Sequence, residues 1–362
     1  MKALLKLFER HAADFDKGGR FSALKPVFKA TEHFFFAPAE TTVIAPHSRD
    51  PLDVKRFMSV VIIALLPCVI ASFYLFGLRL AVMLVVSYIA GGVVEVTFAI
   101  VRKEQINEGF LVTGLLFPLI LPPTLPLWLV AVGVIFGVFV GKELFGGTGR
   151  NLFNPALVGR CFLSLAYPAA MAGHWLKPGS GLTGRLFQYI GAADIDALST
   201  ATPLVMAKQG NLVALADMFW GQVSGSMGET SAFAIILGGL FLLLTRVANW
   251  RTVVSILGSA AVMTALLHRS SPEILTVIMW NLCAGGLLFG AFFMATDPVT
   301  SPATDPAKYA YGIIIGVATL LIRNFTGYVE GVTFAILLGN IVAPLLDEIV
   351  IAIRIRRLAN EG

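Results

Sequence analysis

Phe57-Met58-Ser59-Val60-Val61-Ile62-Ile63-Ala64-Leu65-Leu66-Pro67-Cys68-Val69-Ile70-Ala71-Ser72-Phe73-Tyr74-Leu75-Phe76-Gly77 runs for 21 residues without a charged side chain. About 20 apolar residues in a helix cover the hydrocarbon core of a bilayer, so this stretch is long enough to cross. Nine more apolar segments follow, near 80–100, 109–122, 126–143, 153–170, 231–245, 252–267, 275–295, 309–322 and 331–353. The segments at 109–122 and 309–322 are short for a straight crossing. Hydrophobic residues make up 57% of the 362-residue chain and charged residues 14%, and mean hydropathy is +0.81. No water-soluble globule needs so much apolar material, and the reading is an all-α polytopic membrane protein of about ten transmembrane helices.

Charge sets the expected orientation. Lys55, Arg56, Arg102, Lys103, Lys142, Arg150, Arg246, Arg251, Lys308, Arg354, Arg356 and Arg357 fall on one side if the spans alternate. The other side holds Arg79, Arg269 and Arg323, with Lys177, Arg185 and Lys208 spread over a long loop. The positive-inside rule then puts both termini in the cytoplasm and the 171–230 loop outside, in a bacterium the periplasm. The net charge of +5 is explained by cytoplasmic loops and does not call for nucleic acid. Residues 1–54 do not read as a signal peptide, because no continuous apolar core follows the basic start. Their Lys and Arg, interleaved with Leu and Phe, suit an arm lying on anionic membrane lipid or a partner subunit, or a tail that only enforces orientation. Cys68, Cys161 and Cys283 all lie in apolar runs without metal-ligand spacing and read as small buried hydrophobes.

The two halves look related. Gly114-Leu115-Leu116-Phe117 recurs as Gly286-Leu287-Leu288-Phe289, and Gly133-x-x-x-Gly137-Val138 as Gly312-x-x-x-Gly316-Val317. Five spans per half is an odd number, so duplicated halves would be inverted in the membrane. The expected organisation is an arm at 1–54, a five-helix repeat at 55–170, the loop at 171–230, and a second five-helix repeat with a basic tail at 231–362.

The 171–230 loop carries Asp196-Ala197-Leu198-Ser199-Thr200-Ala201-Thr202-Pro203. An aspartate six residues ahead of a small-residue Ser-x-Ala-Thr turn resembles the acceptor at which bacterial flavin transferases attach FMN to threonine. A threonine hydroxyl is a weak nucleophile, so an enzyme must activate it, and small neighbours such as Ser199 and Ala201 leave room for that enzyme. The alternative is an ordinary Thr cap before a helix opening at Pro203.

Between the fourth and fifth segments, Lys142-Glu143-Leu144-Phe145-Gly146-Gly147-Thr148-Gly149-Arg150-Asn151-Leu152-Phe153-Asn154-Pro155 allows close backbone approach and opens a helix whose amides suit an anion or a ring carbonyl. Gly147, Thr148, Gly149, Asn151 and Asn154 are its candidate ligand-binding residues, against the alternative of a tight inter-helix turn. No Gly-Lys-Ser/Thr follows, so it is not a nucleotide P-loop. Asp297 in Met294-Ala295-Thr296-Asp297-Pro298 ends a helix, where a carboxylate is unfavourable unless a cation or an arginine compensates. Glu108, Glu330 and Asp347 flank or enter apolar segments and are, with Asp297, ion-path candidates. Glu108 and Glu330 have an ordinary explanation at helix N-termini; Asp347 has none unless Arg354 or Arg356 pairs with it. None of the five histidines suggests a haem or metal pair, and no metal site is expected.

These motifs together name a family. His47-x-Arg49-Asp50-x-x-Asp53-x-Lys55-Arg56, Glu108-Gly109-Phe110, the Lys142–Asn151 loop, Asn154-Pro155-Ala156-Leu157-x-Gly159-Arg160 and Met294-Ala295-Thr296-Asp297-Pro298-Val299 resemble the B subunit of the sodium-translocating NADH:quinone oxidoreductases. The D subunit of the Rnf ferredoxin:NAD complex shares the core, and Ser199-Thr200-Ala201-Thr202 reads closer to its style than to the Ser-Gly-Ala-Thr usual in the quinone-reductase family. The resemblance implies a urea-transporter-like inverted repeat and covalent FMN on Thr202. It also implies a non-covalent riboflavin among the helices and ubiquinone near the cytoplasmic face, with Glu108 and Asp347 helping sodium enter. It implies a bacterial inner-membrane translocase of about six subunits matured by a flavin transferase, in which this chain is not active alone. The chain has no nucleotide fingerprint and no iron–sulfur cysteine pattern, so partner subunits must oxidise NADH. The reading from a different class is a non-redox channel or carrier with an unmodified Thr202.

Overall fold

The computed structural model describes residues 54–103, 109–172, 175–176, 178–179, 184–189, 199–269, 272–326, 328 and 331–361. The N-terminal arm, Glu108, Asp196 and Glu330 lie outside the described residues. The first half holds α1 (Val54–Phe76), α2 (Arg79–Arg102), α3 (Gly109–Leu119), α4 (Leu127–Gly141) and α5 (Pro155–Ala166). After a short α6 (Pro168–Ala172), β1 (Trp175–Leu176) pairs antiparallel with β2 (Ser199–Thr200), and α7 (Pro203–Lys208) and α8 (Leu215–Trp220) complete the connecting region. The second half holds α9 (Ala232–Leu244), α10 (Trp250–Leu267), α11 (Ile274–Cys283), α12 (Leu287–Met294), α13 (Asp305–Phe325) and α14 (Val332–Glu361).

Each apolar segment of the sequence contains an apolar helix, but their lengths differ. Six are long and apolar enough to cross a membrane, and α11 with α12, bent by 64° at their break, makes a seventh if counted as one span. The chain is an all-α, multi-spanning membrane protein. α3, α5 and α9 have only 11, 12 and 13 residues. The segment expected to be short at 309–322 is not short. It begins at Asp305, because Pro306 at the first turn opens a helix through the polar residues ahead of the apolar run, and α13 reaches 21 residues.

Packing follows the glycines. Gly133 and Gly137 of α4 face α5, where a methyl at Gly137 would overlap the Pro155 carbonyl oxygen. Gly312 and Gly316 of α13 instead face α10, meeting the Ser255 and Ser259 hydroxyls. The two Gly-x-x-x-Gly pairs, similar in sequence, therefore serve different helix contacts. The halves meet where α1 crosses α9: a methyl at Gly238 would overlap the Ala64 carbonyl oxygen. Without a hydrophobic drive between helices in lipid, such small-residue contacts let backbones approach closely enough to hold them together.

Both irregular stretches are held by buried arginines. Arg79 donates from Nε to the Pro123 carbonyl (3.1 Å) and from Nη2 to the Leu125 carbonyl (2.8 Å), satisfying the chain between α3 and α4. Arg323 donates to the carbonyls of Asn281 (3.0 Å), Ala284 (2.7 Å) and Gly285 (2.9 Å) at the break between α11 and α12. The sequence reading counts both as loop charges; here they are internal ligands of backbone that has left the helix.

Candidate functional site: two cavities on one broken helix

Thr202 sits where β2 gives way to α7. Pairing of Trp175 with Thr200 and Leu176 with Ser199 fixes the backbone just ahead of it. Thr202 is extended (φ −71, ψ 156) and caps α7, with Pro203 in the first turn. Its Oγ1 accepts from Val205 N at 3.4 Å, a long bond that only weakly commits the hydroxyl. Thr202 is buried, and Ala201 beside it is partly exposed.

Thr202 lines a cavity of about 70 Å³ with Ser224, Ser226, Glu229, Thr230 and Gly286. Arg160 of α5 reaches this site: Nη1 lies 2.7 Å from Glu229 Oε1, and Nη2 donates to Ser226 Oγ at 3.1 Å. Glu229 Oε2 and Thr230 Oγ1 are buried without a hydrogen-bond partner among the described residues. Across Leu204 opens a larger cavity of about 930 Å³, lined by Lys208, Trp280 and Arg323.

A second cavity of about 70 Å³ gathers Thr148, Asn151, Asn154, Lys142 and Asp297. The sequence reading treats the glycine loop and Asp297 as separate motifs; the fold brings them together. Gly146, Gly147 and Gly149 all have positive φ (108°, 93° and 88°), which lets the chain double back before α5. Asn154 Oδ1 caps α5 by accepting from Ala156 N at 3.1 Å, and Asn151 Nδ2 donates to the Phe153 carbonyl at 3.0 Å. Thr148 Oγ1 is buried with no partner among the described residues. Asp297 needs no arginine: Oδ1 accepts from Val299 N (3.3 Å) and Oδ2 from the Thr300 hydroxyl (3.1 Å). Although the residue keeps some open surface, its carboxyl is enclosed, and burial pushes it above the usual carboxylate range against the opposing pull of those two donors.

Asp347 is placed apart from this cavity. Its carboxylate accepts from Ala303 N (2.8 Å), Thr304 N (2.8 Å) and the Thr304 hydroxyl (2.6 Å), so it caps α13 from α14, with neither Arg354 nor Arg356 as its partner in those bonds. That is the physical reason an acid is tolerated there.

The sequence reading misses the ion pairs that form around these cavities. Glu95 of α2 receives Lys142 Nζ at 2.6 and 2.8 Å, and Arg102 pairs with Glu143 at 2.6 Å. Glu95 was detectable as the single acid in the apolar run of α2. Arg160 with Glu229 is a further buried pair, and its signal was the polar run Ser224-Gly225-Ser226-Met227-Gly228-Glu229-Thr230-Ser231 directly ahead of α9.

Residues 41–356 match the model of the NQR2, RnfD, RnfE family. The chain is 37% identical to the B subunit of the Na(+)-translocating NADH-quinone reductase of Pseudomonas paraeruginosa over the full length of both chains. It is 37% identical to the protein of the same description from Azotobacter vinelandii, covering 95% of this chain and 96% of that one. The Klebsiella pneumoniae counterpart is 36% identical over the full length of both. The family match and this end-to-end similarity show that the chain belongs to the NQR2, RnfD, RnfE family.

Proposed function

We propose that this chain is the B subunit of a sodium-translocating NADH:quinone reductase and that Thr202 carries FMN through a phosphate ester. Full-length similarity to proteins described as that subunit supports the quinone-reductase reading over the Rnf reading, since the family includes both. The observation that carries the flavin assignment is Thr202 itself. Its hydroxyl is loosely held, and Thr202 lines a cavity in which the Thr230 hydroxyl lacks a partner among the described residues and Arg160 brings a guanidinium close by. About 70 Å³ admits a phosphoryl group but not a three-ring system, so the ring belongs outside it. The cavity of about 930 Å³ across Leu204 is large enough.

FMN bound there would supply reversible acceptance of one or two electrons. The chain's part is to hold it. Ser224 and Thr230 offer hydroxyls toward a phosphoryl group, and the β1–β2 pair fixes the backbone that presents Thr202. At the other cavity, Thr148, Asn151 and Asn154 offer the donors and acceptors a riboflavin ring requires, but about 70 Å³ is well below the roughly 300 Å³ of small-molecule sites. The donor set fits and the volume does not, so no step is drawn through riboflavin. Sodium is cargo. Asp297 is the ion-path candidate supported by position, since it opens onto a cavity, whereas Asp347 is occupied by three hydrogen bonds and Glu108 lies outside the described residues.

In this reading the ten apolar helices form two inverted five-helix repeats in a bacterial inner membrane. Both termini face the cytoplasm and Thr202 faces the periplasm. Further subunits, a flavin transferase, lipid and quinone complete the system. The deciding test is flavin fluorescence of the denatured chain, with a mass shift of one FMN on the Thr202 peptide that Thr202→Val abolishes. A colourless wild-type chain from cells with active flavin transferase would favour a non-redox channel.

A further inference from the structure

Helix α12 spans the distance between the two cavities. Its eight residues rise about 12 Å. Gly285 and Gly286 at its start line the Thr202 cavity, and Phe293, Thr296 and Asp297 at its end line the other. The break that precedes it is charge-matched at both ends. Arg323 holds the carbonyls that close α11, where a helix is negative. Glu229 lies against the start of α12, where a helix is positive: a methyl at Gly286 would sit 2.6 Å from the Glu229 carboxyl carbon. Arg160 anchors one oxygen of that carboxylate, while the other lacks a hydrogen-bond partner among the described residues.

We propose that Glu229 is the positioning residue through which the occupant of the Thr202 pocket controls half-helix α12 and thereby the Asp297 cavity. The proposal rests on the reading that Thr202 carries a phosphate-linked flavin, and it adds the route by which occupancy of that pocket reaches the ion path. A negative phosphoryl group entering the pocket repels the second carboxylate oxygen and alters its hold on the helix end. The far end of α12 can respond, because Gly290–Met294 is a π-turn closed by Ala295 N to the Gly290 carbonyl at 2.8 Å, a place where a helix carries an extra residue and can change register. Among the groups described, Glu229 touches both the pocket and the break.

The test uses the whole complex, purified with Glu229→Gln or Arg160→Lys and reconstituted into vesicles. The readouts are flavin on the Thr202 peptide, NADH-dependent quinone reduction, and sodium moved per NADH oxidised. The expected result is a flavin-bearing complex in which most of the sodium moved per NADH is lost in Glu229→Gln, and less of it in Arg160→Lys. A wild-type ratio in either assembled variant overturns the proposal, and so does failure of both variants to assemble, which would make the pair purely structural. Absence of flavin from the wild-type peptide would instead defeat the parent reading, and it is seen before any ratio is measured.

Discussion

Arg160 Nη1 stands 2.7 Å from Glu229 Oε1, and the two side chains are only 3% and 5% exposed. The pair ties α5 in the first half to the segment leading into α9 in the second. Two charges out of water hold each other in place, and removing one side chain's hydrogen-bonding group leaves the other buried and uncompensated.

Arg160→Met is therefore expected to destabilise the chain by about 3–5 kcal/mol, because Glu229 is left buried and uncompensated. Arg160→Met combined with Glu229→Gln should recover most of that loss. Thermal unfolding of the detergent-solubilised single and double variants measures both, and additive losses would contradict the pairing.

Gly238→Ala should cost about 1–3 kcal/mol, since the added methyl meets the Ala64 carbonyl at the crossing of α1 and α9. Gly258 in α10 is the control: nothing lies within 4 Å of a methyl there, and alanine should stabilise that helix by about 1 kcal/mol. Denaturant unfolding of the two variants side by side checks the opposite signs.

Thr202→Val removes the cap of α7 and is expected to loosen that helix by about 0.5 kcal/mol, the low end for a cap because the bond is long, whether or not a flavin is attached. Thr202→Ser should keep the cap. Hydrogen exchange at the amides of Leu204, Val205 and Met206 distinguishes the two, with faster exchange only in the valine variant.

The pH response of Asp297 has a definite sign. Its folded-state carboxyl is raised by burial, so its contribution to stability is present below the ordinary carboxylate pKa and is lost as pH rises through the raised value. Asp297→Asn should flatten that part of the curve, becoming more stable than wild type on the alkaline side of the window. Melting temperatures across pH 4 to about 8 test it. Equal slopes in the two proteins would rule out Asp297 as the titrating group.

The positions of the apolar helices were legible because lipid demands long uncharged runs, and the segment at 57–77 already shows this in α1. The tight glycine turn and the Thr202 cap ahead of Pro203 were legible as local patterns. What could not be read was convergence: nothing in sequence spacing places Asp297 beside Thr148, or Glu229 beside Arg160, 69 residues apart. The break before α12 was hidden too, because Ala284, Gly285 and Gly286 sit inside an apolar run whose composition continues unchanged. Arg79, Lys142 and Arg323 read as loop charges because a net-charge pattern records which residues are basic and not which ones fold inward.

The Gly238–Ala64 crossing has a mechanical consequence. With backbone set directly on backbone, that seam leaves little slack for α1 and α9 to slide past each other.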